Sequence, residues 1–181
     1  SHTFDISVWQ FFAALVVGGT TVIYSNRLVL QPEGFINRIT IDKINLLEVV
    51  PSYLSLLLDV FKGGFKTLRY LLVTGETVSH ALVSRWFSCY AIPMVNAYGP
   101  TEASDDITHH VMTEPPVNPS VPIGTPLQNL TIYIVDKHMQ LCPVGVRGEI
   151  LVAGIGVGRG YLNDPTRTHE AFNKAKVLRG P

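Results

Sequence analysis

The stretch LRYLLVTGETVSHALVSRWFSCYAIPMVNAY, Leu68 to Tyr98, decides the fold. Leu68 to Val73 is a continuous apolar run of strand length, Val78 to Phe87 has the pattern of a helix, and Met94 to Tyr98 is a second strand running into a turn. Strands that are apolar throughout, not alternating, belong to parallel sheets covered on both faces, with helices as the crossovers. The same unit repeats upstream. Val8, Phe11, Phe12 and Leu15 recur at i, i+3, i+4 and i+7, so Ser7 to Val17 is expected to be a helix with Asp5 or Ser7 near its N-cap. Thr21 to Tyr24 is expected as a strand. Pro32 opens a helix carrying Phe35, Ile36 and Ile39, Asn45 to Val50 is a strand, and Pro51 starts a helix through Leu58. The fold class is therefore α/β, a mostly parallel sheet flanked by helices. Ligands of such sheets bind beyond the carboxyl ends of the strands.

After Met112 the character changes. Glu114 to Pro126 holds five prolines, which predicts an extended connection. Thr131 to Val135 and Glu149 to Val152 are expected strands, with turns at Asp136-Lys137 and Pro143-Val144-Gly145. Asn163 to Phe172 is expected to start a helix, capped by Asn163 or Asp164 with Pro165 in its first turn. The organisation read from the sequence is an α/β core over residues 1–113, a Pro-rich connection over 114–126 and a β-rich segment over 127–181.

The 181 residues contain 14 Lys or Arg and 14 Asp or Glu, for a net charge of zero. A nucleic-acid partner is disfavoured, because displacing counterions from phosphates calls for a basic excess. With 46% hydrophobic and 15% charged residues the chain is too apolar to be disordered. Neutrality is not uniform, however. From Trp86 to Asp136 there is no Lys or Arg, while Glu102, Asp105, Asp106, Glu114 and Asp136 all fall there. Ile6 to Asn26 runs 21 residues without a charge, long enough to raise a membrane span. Gly18-Gly19-Thr20-Thr21 divides it instead into a helix and a short strand of a buried core, and no membrane partner is expected. No basic segment precedes the run as in a signal peptide. Cys89 and Cys142 have no His cluster near them in sequence and read as reduced core residues of a cytoplasmic protein.

Several motifs fail. Gly154, Gly156, Gly158 and Gly160 resemble a dinucleotide loop, but Arg159 stands where the third glycine of G-x-G-x-x-G is needed. There is no G-x-x-x-x-G-K-[ST] loop and no G-x-S-x-G elbow. His109 and His110 are adjacent, so on an extended segment they face opposite ways and cannot share one ion. The informative segment is Asn96-Ala97-Tyr98-Gly99-Pro100-Thr101-Glu102, which leaves a buried strand and enters a Gly-Pro turn. Tyr98 could stack on a flat base, Asn96 bond an amino group on it, Thr101 donate to a phosphate, and Glu102 hold Mg²⁺ against phosphate oxygens. An ordinary turn with a Glu cap is the plainer alternative. Thr74-Gly75-Glu76-Thr77 follows the preceding strand and would display a second loop to the same ligand.

NAYGPTE, with FDISVW at Phe4 to Trp9 and GEILVAGIGVGRGYL at Gly148 to Leu162, resembles the adenylation domain of nonribosomal peptide synthetases, in the adenylate-forming superfamily. A YGxTE-type turn also occurs in acyl-CoA ligases and luciferases. The Asn-Ala before it, the Pro within it and the Phe-Asp of FDISVW resemble the amino-acid-activating members. The resemblance implies attack of an amino acid carboxylate on the α-phosphate of ATP, giving an aminoacyl adenylate and pyrophosphate. A phosphopantetheine thiol on a carrier protein, beside condensation domains, then takes the acyl group. It further implies that Asp5 salt-bridges the substrate's α-ammonium, that Asn96, Ala97 and Tyr98 meet the adenine, and that Thr101 contacts phosphate. Glu102 becomes the Mg²⁺ ligand, with Thr101 and Glu102 the catalytic pair. The backbone at Gly75, Glu76 and Thr77 forms the other wall of the adenine slot. A complete domain of this kind has a Gly/Ser/Thr-rich phosphate loop upstream of Phe4, and an Asp for the ribose, a hinge and an essential Lys downstream of Pro181. The chain is accordingly expected to be the middle of such an enzyme and inactive alone.

By the same resemblance the substrate pocket is lined by Asp5, Ile6, Trp9, Glu48, Leu72, Thr74, Ala97, Asp105 and Asp106. Beyond Asp5 it offers three carboxylates. Buried anions need a cation, so the expected substrate has a basic side chain: 2,4-diaminobutyrate or ornithine first, lysine or arginine next. Against this stand Asp105 and Asp106 as water-facing loop caps and Asp5 as a helix N-cap. Two further readings differ in class: an acyl- or aryl-CoA ligase fragment, and a non-catalytic excised specificity subdomain.

Overall fold

The computed structural model describes residues 2–61 and 63–172. They form two compact units, one made of the chain up to Tyr98 with Thr108–Thr125, the other of Gly99–Ile107 with the chain from Pro126.

The first unit contains α1 (Ile6–Val16), α2 (Asn26–Val29), α3 (Pro32–Ile41), β1 (Leu46–Val49), α4 (Pro51–Val60), β2 (Tyr70–Val73), α5 (His80–Cys89), β3 (Met94–Tyr98) and β4 (Thr108–Met112). Proline at the first turn starts α3 and α4, where a missing N–H costs nothing. Ser79 starts α5 by accepting from Leu82 N at 3.2 Å. The sheet runs β1-β2-β3-β4-β5, the last being the short Thr125–Pro126. β1, β2 and β3 are mutually parallel and β4 is antiparallel to β3. The expected α/β crossovers are thus present, with an antiparallel strand added on the far side of β3.

Register fixes what each sheet face carries. Leu47 pairs Leu71, Leu71 pairs Met94 and Met94 pairs Met112, and this row belongs to the hydrophobic core with Phe35, Ile36, Ile39, Leu54, Leu57 and Trp86. One residue away, Glu48 pairs Leu72 and Leu72 pairs Val95. Successive strand residues point to opposite faces, so this second row lies on the face away from the helical core. Trp86 anchors the core. It is fully buried, its ring centroid lies 4.6 Å from that of Tyr90, and its Nε1 donates to Ile92 O at 2.8 Å.

Three expectations change. Thr21 to Tyr24 forms no strand: β-branched composition favours one, but no strand lies beside it among the described residues, and Thr21 Oγ1 instead donates to Phe11 O. α1 forms as expected and Gly18, at φ +77°, ends it, yet only Ser7 of its residues is buried. Val8, Phe12, Leu15 and Val16 are exposed, so α1 is apolar without being core here. Cys89 is exposed and Cys142 half-buried, so neither is a core residue, and neither is bridged. Among the described residues no helix is long and apolar enough to cross a membrane.

In the second unit β6 (Leu130–Val135) and β7 (Glu149–Gly154) form an antiparallel pair, and α6 (Pro165–Ala171) follows. Asp164 caps α6 by accepting from Arg167 N at 3.0 Å, while Asn163 takes a positive φ one step earlier. Gly99–Ile107 folds as a 3₁₀ turn at Thr101–Ala103, then Ser104 and Asp105 at φ +64° and +82°. That reversal brings Asp105 back onto Gly99, where a Cβ would sit 1.7 Å from Asp105 O and 2.7 Å from Asp106 Cα. Only glycine fits.

Two outcomes follow for urea unfolding of the chain. Trp86→Ala removes a fully buried indole and is expected to cost about 3–5 kcal/mol. Gly99→Ala is expected to cost about 3 kcal/mol from overpacking, whereas Gly64→Ala, whose Cβ meets nothing within 4 Å, stays within about 0.5 kcal/mol of the parent. Equal effects of the two glycine substitutions would contradict the packing assigned to Gly99.

Candidate functional site

The three parallel strands bring four of the expected pocket residues to one surface. Glu48 and Leu72 are register partners on the face away from the helical core. Ala97, one residue on from Asn96, which pairs Val73, shares that face by alternation; carried one residue past β2, the same alternation puts Thr74 there too. Leu72, Thr74 and Ala97 are buried, and both carboxylate oxygens of Glu48 are shielded from solvent. Here an acidic side chain shares a face with apolar Leu72 and Ala97, with the hydroxyl of Thr74 and with His109, the register partner of Ala97, and interactions with a shielded charge are strong.

Asn96 and Ala97 are adjacent in β3 and therefore point to opposite faces. Asn96 is buried and its Nδ2 donates to Pro122 O at 2.8 Å, tying down the Pro-rich connection and leaving Oδ1 as the atom able to accept from an amino group. Tyr98 ends the strand 40% exposed, which leaves its ring a face for stacking. The preceding loop has a different internal tie. Gly75 turns at φ +80°, and Glu76 accepts from both Ser52 N (2.9 Å) and Ser52 Oγ (2.8 Å), so its side chain caps α4 while the loop backbone stays exposed. His109 and His110 register with Ala97 and Asn96 and so lie on opposite faces of β4.

Asp5 sits at the start of α1, half-buried, with Oδ1 accepting from Ile6 N at 2.9 Å. The N-cap alternative is thus realised, and one carboxylate oxygen remains beyond that bond. Ile6 is half-buried and Trp9, one turn beyond Asp5 on the same side of the helix, is 39% exposed.

Thr101, Glu102, Asp105 and Asp106 belong to the second unit, all on the short reversal behind Gly99. Thr101 is exposed; Glu102, Asp105 and Asp106 are half-buried. Glu102 accepts a short hydrogen bond from Tyr161 Oη, and Gly158 N donates to Glu102 O at 2.7 Å. Among the described residues no three His, Cys, Asp or Glu side chains gather into a metal cage. A single carboxylate fits Mg²⁺ nevertheless, because that ion is commonly held by one or two carboxylates together with substrate phosphates.

Sequence reasoning missed Tyr161. It lies in the GRGYL run used for the resemblance, but nothing in local spacing links it to a carboxylate 59 positions away. The rejected glycine run has its explanation here as well. A Cβ at Gly156 would come within 3.1 Å of Ala103 O and one at Gly158 within 3.0 Å of Glu102 O, so these glycines allow the loop to lie against the Glu102 turn.

Known proteins resemble this chain over most of its length. The chain is 36% identical over 177 residues to bacitracin synthase 1 of Bacillus licheniformis, covering 94% of this chain and 3% of that protein. To tyrocidine synthase 1 of Brevibacillus parabrevis it is 36% identical over 176 residues, covering 95% and 15%. It therefore spans a small part of the length of these relatives. Among solved structures, holo-AB3403, a four-domain nonribosomal peptide synthetase bound to AMP and glycine, matches 93% of this chain and 12% of its own with a TM-score of 0.85 at 26% identity. PA1221, a synthetase protein containing adenylation and PCP domains, matches 93% and 34% with a TM-score of 0.83 at 28% identity. The profile of AMP-binding enzymes matches residues 1–162. With most of its length matched, the chain belongs to the AMP-binding enzyme family, and its likeness within that family runs to the adenylation domains of nonribosomal peptide synthetases.

Proposed function

We propose that the chain is the amino-acid-selecting part of an adenylation domain whose parent forms an aminoacyl adenylate from ATP, for loading onto a carrier-protein phosphopantetheine. The observation that carries this reading is the sheet face shared by Glu48, Leu72, Thr74 and Ala97, with the NAYGPTE turn leaving the same strand. On this reading Asp5 holds the substrate's α-ammonium with the carboxylate oxygen not used on Ile6 N. Tyr98 stacks on the adenine, Asn96 accepts from its amino group through Oδ1, and the Gly75–Thr77 backbone closes the opposite side. Thr101 donates to a phosphate. Glu102 holds Mg²⁺, which when bound neutralises charge on the phosphate oxygens. Attack at phosphorus needs little covalent help from protein, so these residues act by positioning and charge stabilisation.

The substrate we infer has a basic side chain, 2,4-diaminobutyrate or ornithine before lysine or arginine. Glu48 supports this: its carboxylate oxygens are shielded from water on the face shared with Leu72, Thr74 and Ala97, and a shielded carboxylate attracts a cationic group more strongly than a neutral one.

In amino-acid-dependent ATP–pyrophosphate exchange, a complete domain carrying this segment is expected to prefer these basic amino acids. Glu48→Gln and Asp106→Asn should each lower the preference for basic over neutral substrates by about tenfold, or ~1.4 kcal/mol; unchanged selectivity in both would end the basic-substrate reading. The 181-residue chain alone should give no exchange above background, and measurable exchange by it would show that it holds a whole active site.

A further inference from the structure

The contact between Tyr161 and Glu102 goes beyond the roles assigned so far. Tyr161 Oη donates to Glu102 Oε1, and the phenol is itself held on several sides. The Arg167 guanidinium lies 4.8 Å from its ring centroid, and the Phe172 ring meets it edge-on at 5.6 Å. Tyr161 N donates to Thr168 Oγ1 at 2.8 Å, and that hydroxyl donates back to Tyr161 O at 3.3 Å. Gly160, at φ +128°, lets this happen: a Cβ there would stand 2.3 Å from Thr168 Cγ2. The main chain on either side of Glu102 is held by the same loop, through Gly158 N to Glu102 O at 2.7 Å and Ser104 Oγ to Gly156 O at 2.6 Å.

A flexible glutamate is therefore fixed at its backbone and at one carboxylate oxygen.

We propose that Tyr161 is a positioning residue for metal binding: it clamps Glu102 Oε1 so that the carboxylate is presented in one orientation to a divalent cation. This rests on the reading of Glu102 as the Mg²⁺ ligand. Tyr161→Phe tests it cleanly, because the ring that Arg167 and Phe172 contact stays and only the donated hydrogen bond is lost.

The probe is Mn²⁺ binding followed by electron paramagnetic resonance in a complete adenylation domain containing this segment, in the presence of α,β-methylene-ATP. Tyr161→Phe is expected to raise the Mn²⁺ dissociation constant about tenfold while the amino acid KM stays unchanged. Arg167→Ala keeps the hydroxyl but releases the ring, and is expected to raise the constant about threefold. Wild-type Mn²⁺ affinity in both variants, with Glu102→Gln binding weakly, overturns the positioning role and leaves Tyr161 a packing residue. Wild-type affinity in Glu102→Gln itself overturns instead the assignment of Glu102 as ligand.

Discussion

The register of three parallel strands, and the two-residue alternation that goes with it, governs the first unit. Leu47, Leu71 and Met94 must face the helices for the core to close, and this commits Glu48, Leu72 and Ala97 to the other side. A slip by one residue would exchange the two sets, burying a glutamate in the helical core and removing it from the face proposed to receive substrate. On that proposal stability and selectivity share one determinant. The fully buried Leu71 and Val73 bracket Leu72, so the cost of misregister protects the placement of Glu48 on the adjacent strand.

Close backbone approach plays the equivalent part in the second unit. Asp105 returns onto Gly99, and Gly156 and Gly158 let their loop lie against Ala103 and Glu102. At Gly99 the approach excludes any side chain, and at Gly156 and Gly158 it leaves little room for one. Tyr161 and Ser104 close the arrangement with side-chain hydrogen bonds. A glycine spacing that fails as a dinucleotide loop is instead a set of clearances for the Glu102 turn.

Much of this could be read from residues alone. The apolar runs named β1, β2 and β3, the proline starts named α3 and α4, and the helical pattern of Val78 to Phe87 named α5, because those signals are local and strong. Thr21 to Tyr24 misled, since β-branched residues declare compatibility with a strand but not the presence of a neighbour to pair with. THHVM at β4 lacks a clean alternation, and its strand state comes from pairing with β3. The engagement of Asn96 with Pro122 and of Tyr161 with Glu102 joins residues 26 and 59 positions apart, beyond any periodicity. The α1 sequence predicts burial that no described element supplies. What the sequence marked well was the turn; what it could not mark was which oxygen of each acid was already taken.

The central claim is that the sheet face opposite the helical core receives the substrate side chain. A crystal structure of a complete domain containing this segment, with a non-hydrolysable ornithyl-adenylate analogue, tests it directly. The account predicts the ornithine side chain lying over Leu72 and Ala97 with its ammonium ion-paired to Glu48. An analogue bound with its side chain away from that face, and Glu48 out of contact with the ammonium, would contradict it.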